Sequence, residues 1–287
     1  MGWVGKIVTI GIFFTIIVQF SSSSYEWVND DWTNDVLNPD FIDAMIWLQT
    51  NSPSPGIDPT KIYSKDEYEI PSNAYSIIIP WVYGYAAHYL THLPVSTSGN
   101  REANGALVES LYGTRNQSYA DEIIQTLRGR YIVISADFIN DELPIYLLRG
   151  SQIPPIVDIN DYIQFLTDIN SQGEEVIYPE FYQNFYETLA VHLYLFDGNY
   201  VQGKYEIRES DQGSKSILVP PYDLEALHHF RLVYKSNTTI IPYIGPVQGS
   251  LKFFDMGSHS EQESKQNQIP RIKIFEYVNC AEVGREE

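Results

Sequence analysis

Three kinds of hydrophobic spacing alternate along this chain, and the points where one gives way to another predict its elements. Residues 6 to 20, "KIVTIGIFFTIIVQF", are a charge-free apolar run once Lys6 is passed. "NPDFIDAMIWLQT" then shifts to helical spacing, with Phe41, Met45 and Leu48 on one face. Asn38 and Pro39 stand where a cap and a first helical residue belong, and Asp40 and Asp43 favour the positive end. "NSPSPG" ends that helix. "YSIII" at 75–79 reads as a strand, followed by a helix from Pro80 to about His92 and a short second strand in "PVSTS". "REANGALVESLYG" reads as a helix closed by Gly113. "SYADEIIQTLRGR" reads as another, opened by Ser118 and Asp121 in S-x-x-D spacing and ended by Gly129. "YIVIS" at 131–135 is a buried-type strand.

Strands alternating with helices over residues 75 to 135 predict βαβ units with parallel pairing. "EFYQNFYETLAVHLYLF" predicts one further amphipathic helix, since Phe181, Phe185, Leu189 and Leu193 recur every four residues. After Gly198 the pattern turns to short strands: "YVQGKYEIRES", "HFRLVYKS", "TIIPYIG" and "IKIFEYV". Residues 255–268 show no periodicity and read as a flexible excursion. The expected fold class is mixed α/β (α+β), in three parts. Residues 1–24 form a membrane-anchor helix or signal segment with a serine linker, 25–198 an α/β core with βαβ units, and 199–287 a β-rich C-terminal part.

The first segment approaches the roughly 20 apolar residues that cross a bilayer. With no A-x-A site before or within "SSSS", it reads as an uncleaved single-pass anchor. Lys6 on its near side places the body of the protein outside the cytoplasm. Two N-glycosylation triplets, at Asn116 and Asn237, agree with that placement.

Composition narrows the function mainly by exclusion. A net charge of −19 repels phosphates and argues against a nucleic-acid partner. One cysteine, Cys280, forbids an intrachain disulfide and a multi-thiolate metal site. His88 and His92 share a helical face, but no Glu lies between them, so the metalloprotease pattern fails. No G-x-S-x-G, P-loop or G-x-G-x-x-G occurs. Asp158, Asp161, Glu174 and Glu175 could supply a carboxylate pair, yet 37 acidic residues make chance pairs expected. The 22 tyrosines suit sugar or peptide contacts as well as sheets and interfaces.

The order of "AMIWLQTNSPSPG", "AYSIIIPWVYGYAAHYLTHLPV", "YADEIIQTLRGRYIVIS", "YETLAVHLYLFDG", "HFRLVYKS" and "IKIFEYV" resembles the soluble C-terminal domain of oligosaccharyltransferases of the archaeal AglB type. The resemblance covers roughly residues 27–283. That family transfers a lipid-linked oligosaccharide to the asparagine of N-x-S/T sequons. Its W-W-D-Y-G signature, which holds the sequon hydroxyl, falls on Pro80, Trp81, Val82, Tyr83 and Gly84. Trp81, Tyr83 and Gly84 match and are the implied substrate-binding residues; the first tryptophan and the aspartate are replaced. The family's second recognition motif has Asp followed by Met or Lys, and falls on Ser135, Phe138 and Glu142. A shifted alignment recovers Asp137 but no lysine.

The resemblance further implies that the catalytic acids, the divalent metal and the lipid donor site belong to a multi-spanning membrane region. The expectation is therefore no catalytic residue, metal or cofactor in this chain, with a multi-spanning oligosaccharyltransferase subunit and an acceptor peptide or glycan as partners. The alternative is an independent extracytoplasmic module that binds glycans or peptides.

Overall fold

Two apolar runs become the neighbouring parallel strands at the heart of the fold. These are β1 (Ser76–Ile78) and β2 (Gly129–Ser135), paired Ile77 to Tyr131 and Ile78 to Ile132. The computed structural model describes residues 38–58, 69–97, 104–143, 146–147, 159–169, 175–203, 222–240, 245–247, 250–252 and 269–278. Helix α1 (Pro39–Asn51) precedes the sheet, and α2 (Gly84–Thr91), α3 (Gly105–Gly113) and α4 (Gln117–Thr126) run between β1 and β2. Parallel strands need such a crossover, and the expected βαβ unit is present. Val95 forms a parallel bridge to Ile77, which is all that the predicted strand "PVSTS" amounts to.

Later elements are β3 (Ile163–Ile169), β4 (Glu175–Phe181), α5 (Gln183–Tyr186), α6 (Leu189–Phe196) and β5 (Phe230–Lys235). The short strands β6 (Thr239–Ile240), β7 (Gly245–Val247), β8 (Ser250–Lys252) and β9 (Ile269–Pro270) precede β10 (Ile272–Tyr277). The main sheet has the order β1-β2-β10-β5, with β10 antiparallel to both neighbours. Two strands from the stretch after Gly198 thus join the sheet that the helical half begins. β3 and β4 form a separate antiparallel hairpin.

Period-two alternation sorts the sheet's side chains between two faces. Ile78, Ile132, Ile134 and Phe275 pack in one buried cluster with Val108, Leu111 and Tyr112 of α3, Ile123 and Ile124 of α4, and Leu189 and Leu193 of α6. The alternate residues Ile77, Val133 and Ile274 are equally buried on the opposite face. There α1 buries Phe41, Ala44, Met45 and Leu48, and its Trp47 ring lies 5.5 Å from Tyr234 of β5.

Three sequence expectations are corrected, and one element had no expectation. α4 is capped by Asn116, whose side chain accepts the Tyr119 N–H at 3.1 Å; Ser118 is already inside the helix. Gly129 does not stop that helix by its backbone freedom. Arg128 takes the left-handed turn at φ 50°, and Gly129 is needed because a Cβ there would meet Ile78 Cδ1 at 2.3 Å. The predicted helix over 180–196 divides into the end of β4, α5 and α6, although Phe181, Phe185, Leu189 and Leu193 are all buried. Thr188 makes the break, its hydroxyl accepting the Val191 N–H at 3.4 Å as an N-cap. Finally, the β3–β4 hairpin stands in a stretch where only carboxylates drew notice.

The expected anchor at 1–24 and the excursion at 255–268 lie outside the described residues. Among the described residues, no helix is long and apolar enough to cross a membrane.

Candidate functional site

Pro80 ends the first strand run with φ −53° and ψ 142°, and Trp81–Tyr83 then make a single 3-10 turn before α2. The Tyr83 N–H donates to the Pro80 carbonyl at 3.0 Å. No side chain caps the turn, and no acidic residue stands in its first turn. The three matched residues have different surroundings. Trp81 is half-buried and packs against the cluster formed with α3, α4 and α6. Tyr83 is buried at 8% exposure, its ring 5.5 Å from Phe41 of α1. Gly84 is buried with ordinary helical angles, φ −57° and ψ −46°. Trp81 and Tyr83 thus pin the turn to the two faces of the sheet, and Val82 between them is half-buried.

Side-chain hydrogen bonds hold the base of the turn. The Thr97 hydroxyl donates to the Ile79 carbonyl at 2.9 Å. The Tyr112 hydroxyl lies 3.3 Å from the Ile78 carbonyl and 3.0 Å from that of Val133, tying β1 to β2. Burial pushes the Tyr112 phenol well above its ordinary range, so it stays a donor there.

The second recognition stretch leaves β2 at the same edge of the sheet. Three residues past the Ile78–Ile132 pair, one chain has reached Trp81 and the other Ser135. This is the carboxyl edge of a parallel pair, where open α/β sheets bind their ligands. The Ser135 hydroxyl accepts the Phe138 N–H at 3.1 Å and caps a π-helical turn, Phe138–Glu142. Phe138 is fully buried, 4.6 Å from the Tyr112 ring and 5.3 Å from Tyr146. Asp137 is 6% exposed and takes both arms of the Arg271 guanidinium at 3.1–3.2 Å. The carboxylate that the shifted alignment recovers is therefore committed to an ion pair.

Comparison with known proteins finds relatives of the chain as a whole. Over 204 residues, 61% of the chain, it is 24% identical to dolichyl-phosphooligosaccharide-protein glycotransferase 3 of Archaeoglobus fulgidus. The chain is homologous to that archaeal oligosaccharyltransferase. Two solved structures of A. fulgidus oligosaccharyltransferase share the fold over 84% of the chain. One, AglB with an inhibitory peptide and a dolichol-phosphate, has a TM-score of 0.55 at 14% identity. The other, tethered to an acceptor peptide with an NVT sequon, has a TM-score of 0.56 at 16% identity. The chain spans 32–33% of those structures, and the match covers 23% of the curated relative. No protein-family model matches the chain.

Within this oligosaccharyltransferase-like domain, sequence reasoning missed two exposed rings beside the turn. α2 buries Gly84, Ala87 and Thr91, and presents Tyr85 at 63% and Tyr89 at 77% exposure. Their spacing of four is visible in the sequence, but spacing alone does not say which face of α2 is exposed.

His88 Nδ1 donates to the Leu93 carbonyl at 2.8 Å, and His92 ends α2 at φ 55°. The turn does not fit a divalent cation: its side chains are aromatic and aliphatic. Among the described residues, no group of three His, Cys, Asp or Glu could hold a metal. Of the carboxylates noted above, Asp158 and Glu174 lie outside the described residues, and Asp161 is exposed.

An open recess of about 410 Å³ is lined by Trp47, Arg130, Tyr131, Arg231 and Glu276, among others. Glu276 accepts from Arg130 at 2.9 and 3.1 Å and also pairs with Arg231. The cross-strand pairs that Glu276 makes account for this cluster.

Proposed function

We propose that this chain serves protein N-glycosylation as an extracytoplasmic, membrane-anchored recognition domain, engaging acceptor polypeptide without carrying out the transfer itself. The observation that carries this reading is the Trp81-Val82-Tyr83-Gly84 turn at the carboxyl edge of the sheet, in a fold shared with a transferase crystallised with an acceptor peptide. Trp81 and Tyr83 act as the frame of the site, and Val82 and the exposed α2 rings as its contact surface. Activating an amide nitrogen calls for carboxylates and a metal. The side chains at this turn supply neither, which suits binding and not proton transfer. The metal, the donor site and the catalytic acids would then come from a multi-spanning oligosaccharyltransferase subunit docked on the domain.

The test is purification of the tagged protein from native membranes in mild detergent, with mass spectrometry of what accompanies it. A stoichiometric multi-spanning glycosyltransferase is the expected result. Recovery of the protein alone would overturn the subunit assignment.

Exposed Tyr85 and Tyr89 favour a second reading, an independent glycan- or peptide-binding module, because phenol rings stack on sugars while their hydroxyls stay hydrated. Under that reading the isolated protein binds glycan, and Tyr85→Ala with Tyr89→Ala abolishes binding.

A further inference from the structure

The sequence carries two N-x-S/T triplets, Asn116-Gln117-Ser118 and Asn237-Thr238-Thr239, and the fold treats them differently. Asn116 is the N-cap of α4. Its side-chain oxygen holds the Tyr119 N–H at 3.1 Å, and Gln117 and Ser118 already belong to the helix. Gln117 is further tied down, its amide donating to the His228 carbonyl at 3.0 Å. Helical winding also turns residues two apart away from one another, so such a triplet does not offer its amide and hydroxyl on one side.

Asn237 sits in the bend between β5 and β6 and is exposed. Among the described residues, no hydrogen bond holds its carboxamide. Thr239 opens β6, so the triplet runs from a bend to the start of a strand and is not wound into a helix. The flanks are anchored. Ser236 N–H donates to the Ile272 carbonyl at 2.9 Å, the Ser236 hydroxyl to the Thr238 carbonyl at 3.0 Å, and Arg271 N–H to the same Thr238 carbonyl at 3.0 Å.

We infer that Asn237 is a glycan attachment site of this protein and that Asn116 is not. The co-reactant is an oligosaccharide linked through phosphate to a lipid. The bond between Asn237 Nδ2 and C1 of the first sugar forms as the bond from C1 to the phosphate oxygen breaks. The lipid phosphate leaves with that electron pair, and the amide gives up one proton. A bulky polar substituent at this bend projects into water and displaces no packing. The inference rests on the extracytoplasmic placement proposed above, because donor and acceptor must meet on that side of the membrane.

The test is mass spectrometry of the full-length protein from its native cells. Tryptic peptides 236–252 and 116–128 separate the two asparagines. The expected result is an oligosaccharide mass on 236–252, lost in both Asn237→Gln and Thr239→Ala, with 116–128 bare. External protease applied to intact cells gives the placement independently. Digestion of the domain with Asn237 bare would overturn the inference alone. Protection of the domain would overturn the placement and the inference with it. A glycan on Asn116 in place of Asn237 would refute the structural discrimination.

Discussion

Val82→Asp places a carboxylate at the position of the turn where the sequence resemblance implies an aspartate. Val82 lies in a 3-10 turn that no side chain caps, and its own side chain is half-buried. Folding should be nearly indifferent to the change. A carboxylate in a first turn gains about 0.3–1 kcal/mol from the orphan N–H groups and the dipole. Removing a half-buried valine forfeits about 1 kcal/mol of apolar burial. Binding should not be indifferent. A hydrogen bond to a charged group contributes about 1.5–3 kcal/mol, or about ten- to a hundredfold in affinity. The assay is a calorimetric titration of the wild type and the variant with peptides that differ only as N-x-T and N-x-A. The expected result is a ratio of the two Kd values that rises by that factor in the variant, with Tm almost unchanged. An unchanged ratio in a variant of unchanged Tm would refute the assignment, because the turn would then not face a sequon hydroxyl.

Three other outcomes follow from the packing. Gly129→Ala should destabilise the fold by about 1–3 kcal/mol through overpacking. Ile78→Val removes the Cδ1 atom that an added Cβ would meet at 2.3 Å, so the double variant should recover part of that loss in urea unfolding. Asp137→Ala leaves the Arg271 guanidinium, 22% exposed, without its bidentate partner, and should cost up to about 3 kcal/mol by the same measurement. His192 is 2% exposed, and burial lowers its pKa below the ordinary 6.5. On acidification the unfolded chain therefore takes up this proton first, so stability falls as pH drops from 6.5 toward the folded value and is flat above 6.5. Denaturation midpoints of His192→Gln should lose less than those of the wild type between about pH 7 and about pH 5, and equal losses would contradict the assignment.

Much of the framework was legible because it is local. The α1 face of Phe41, Met45 and Leu48, the two parallel strands and the presence of helices between them all follow from spacing. The errors arose where two physical causes leave the same mark. A row of apolar residues every four positions signals burial whether one helix or a strand and two helices carry it, and only the Thr188 cap distinguishes them. Gly129 looked like a helix stop, but its glycine is required by the side chain of Ile78 on the next strand, which local pattern does not contain.

The site shows the same limit. Trp81 and Tyr83 were recognisable as a pair, but the Phe41 ring that packs against Tyr83 comes from α1, about 40 residues earlier in the chain. Asp137 looks available in the sequence, and its partner Arg271 is 134 residues away.

The strand order has a consequence for the timing of synthesis. β10 enters the sheet between β2 and β5, so the sheet cannot close before Ile272–Tyr277 has been made. From Asn237 to Tyr277 is 40 residues of chain, about 2–8 s at a synthesis rate of about 5–20 residues per second. For that interval β2 has one bare edge, and the Ser236–Thr238 bend lacks the bonds from Arg271 and Ile272 that later fix it. A nascent chain of this fold therefore passes through a window in which its NTT triplet is unclamped, and that window shuts when the last central strand arrives.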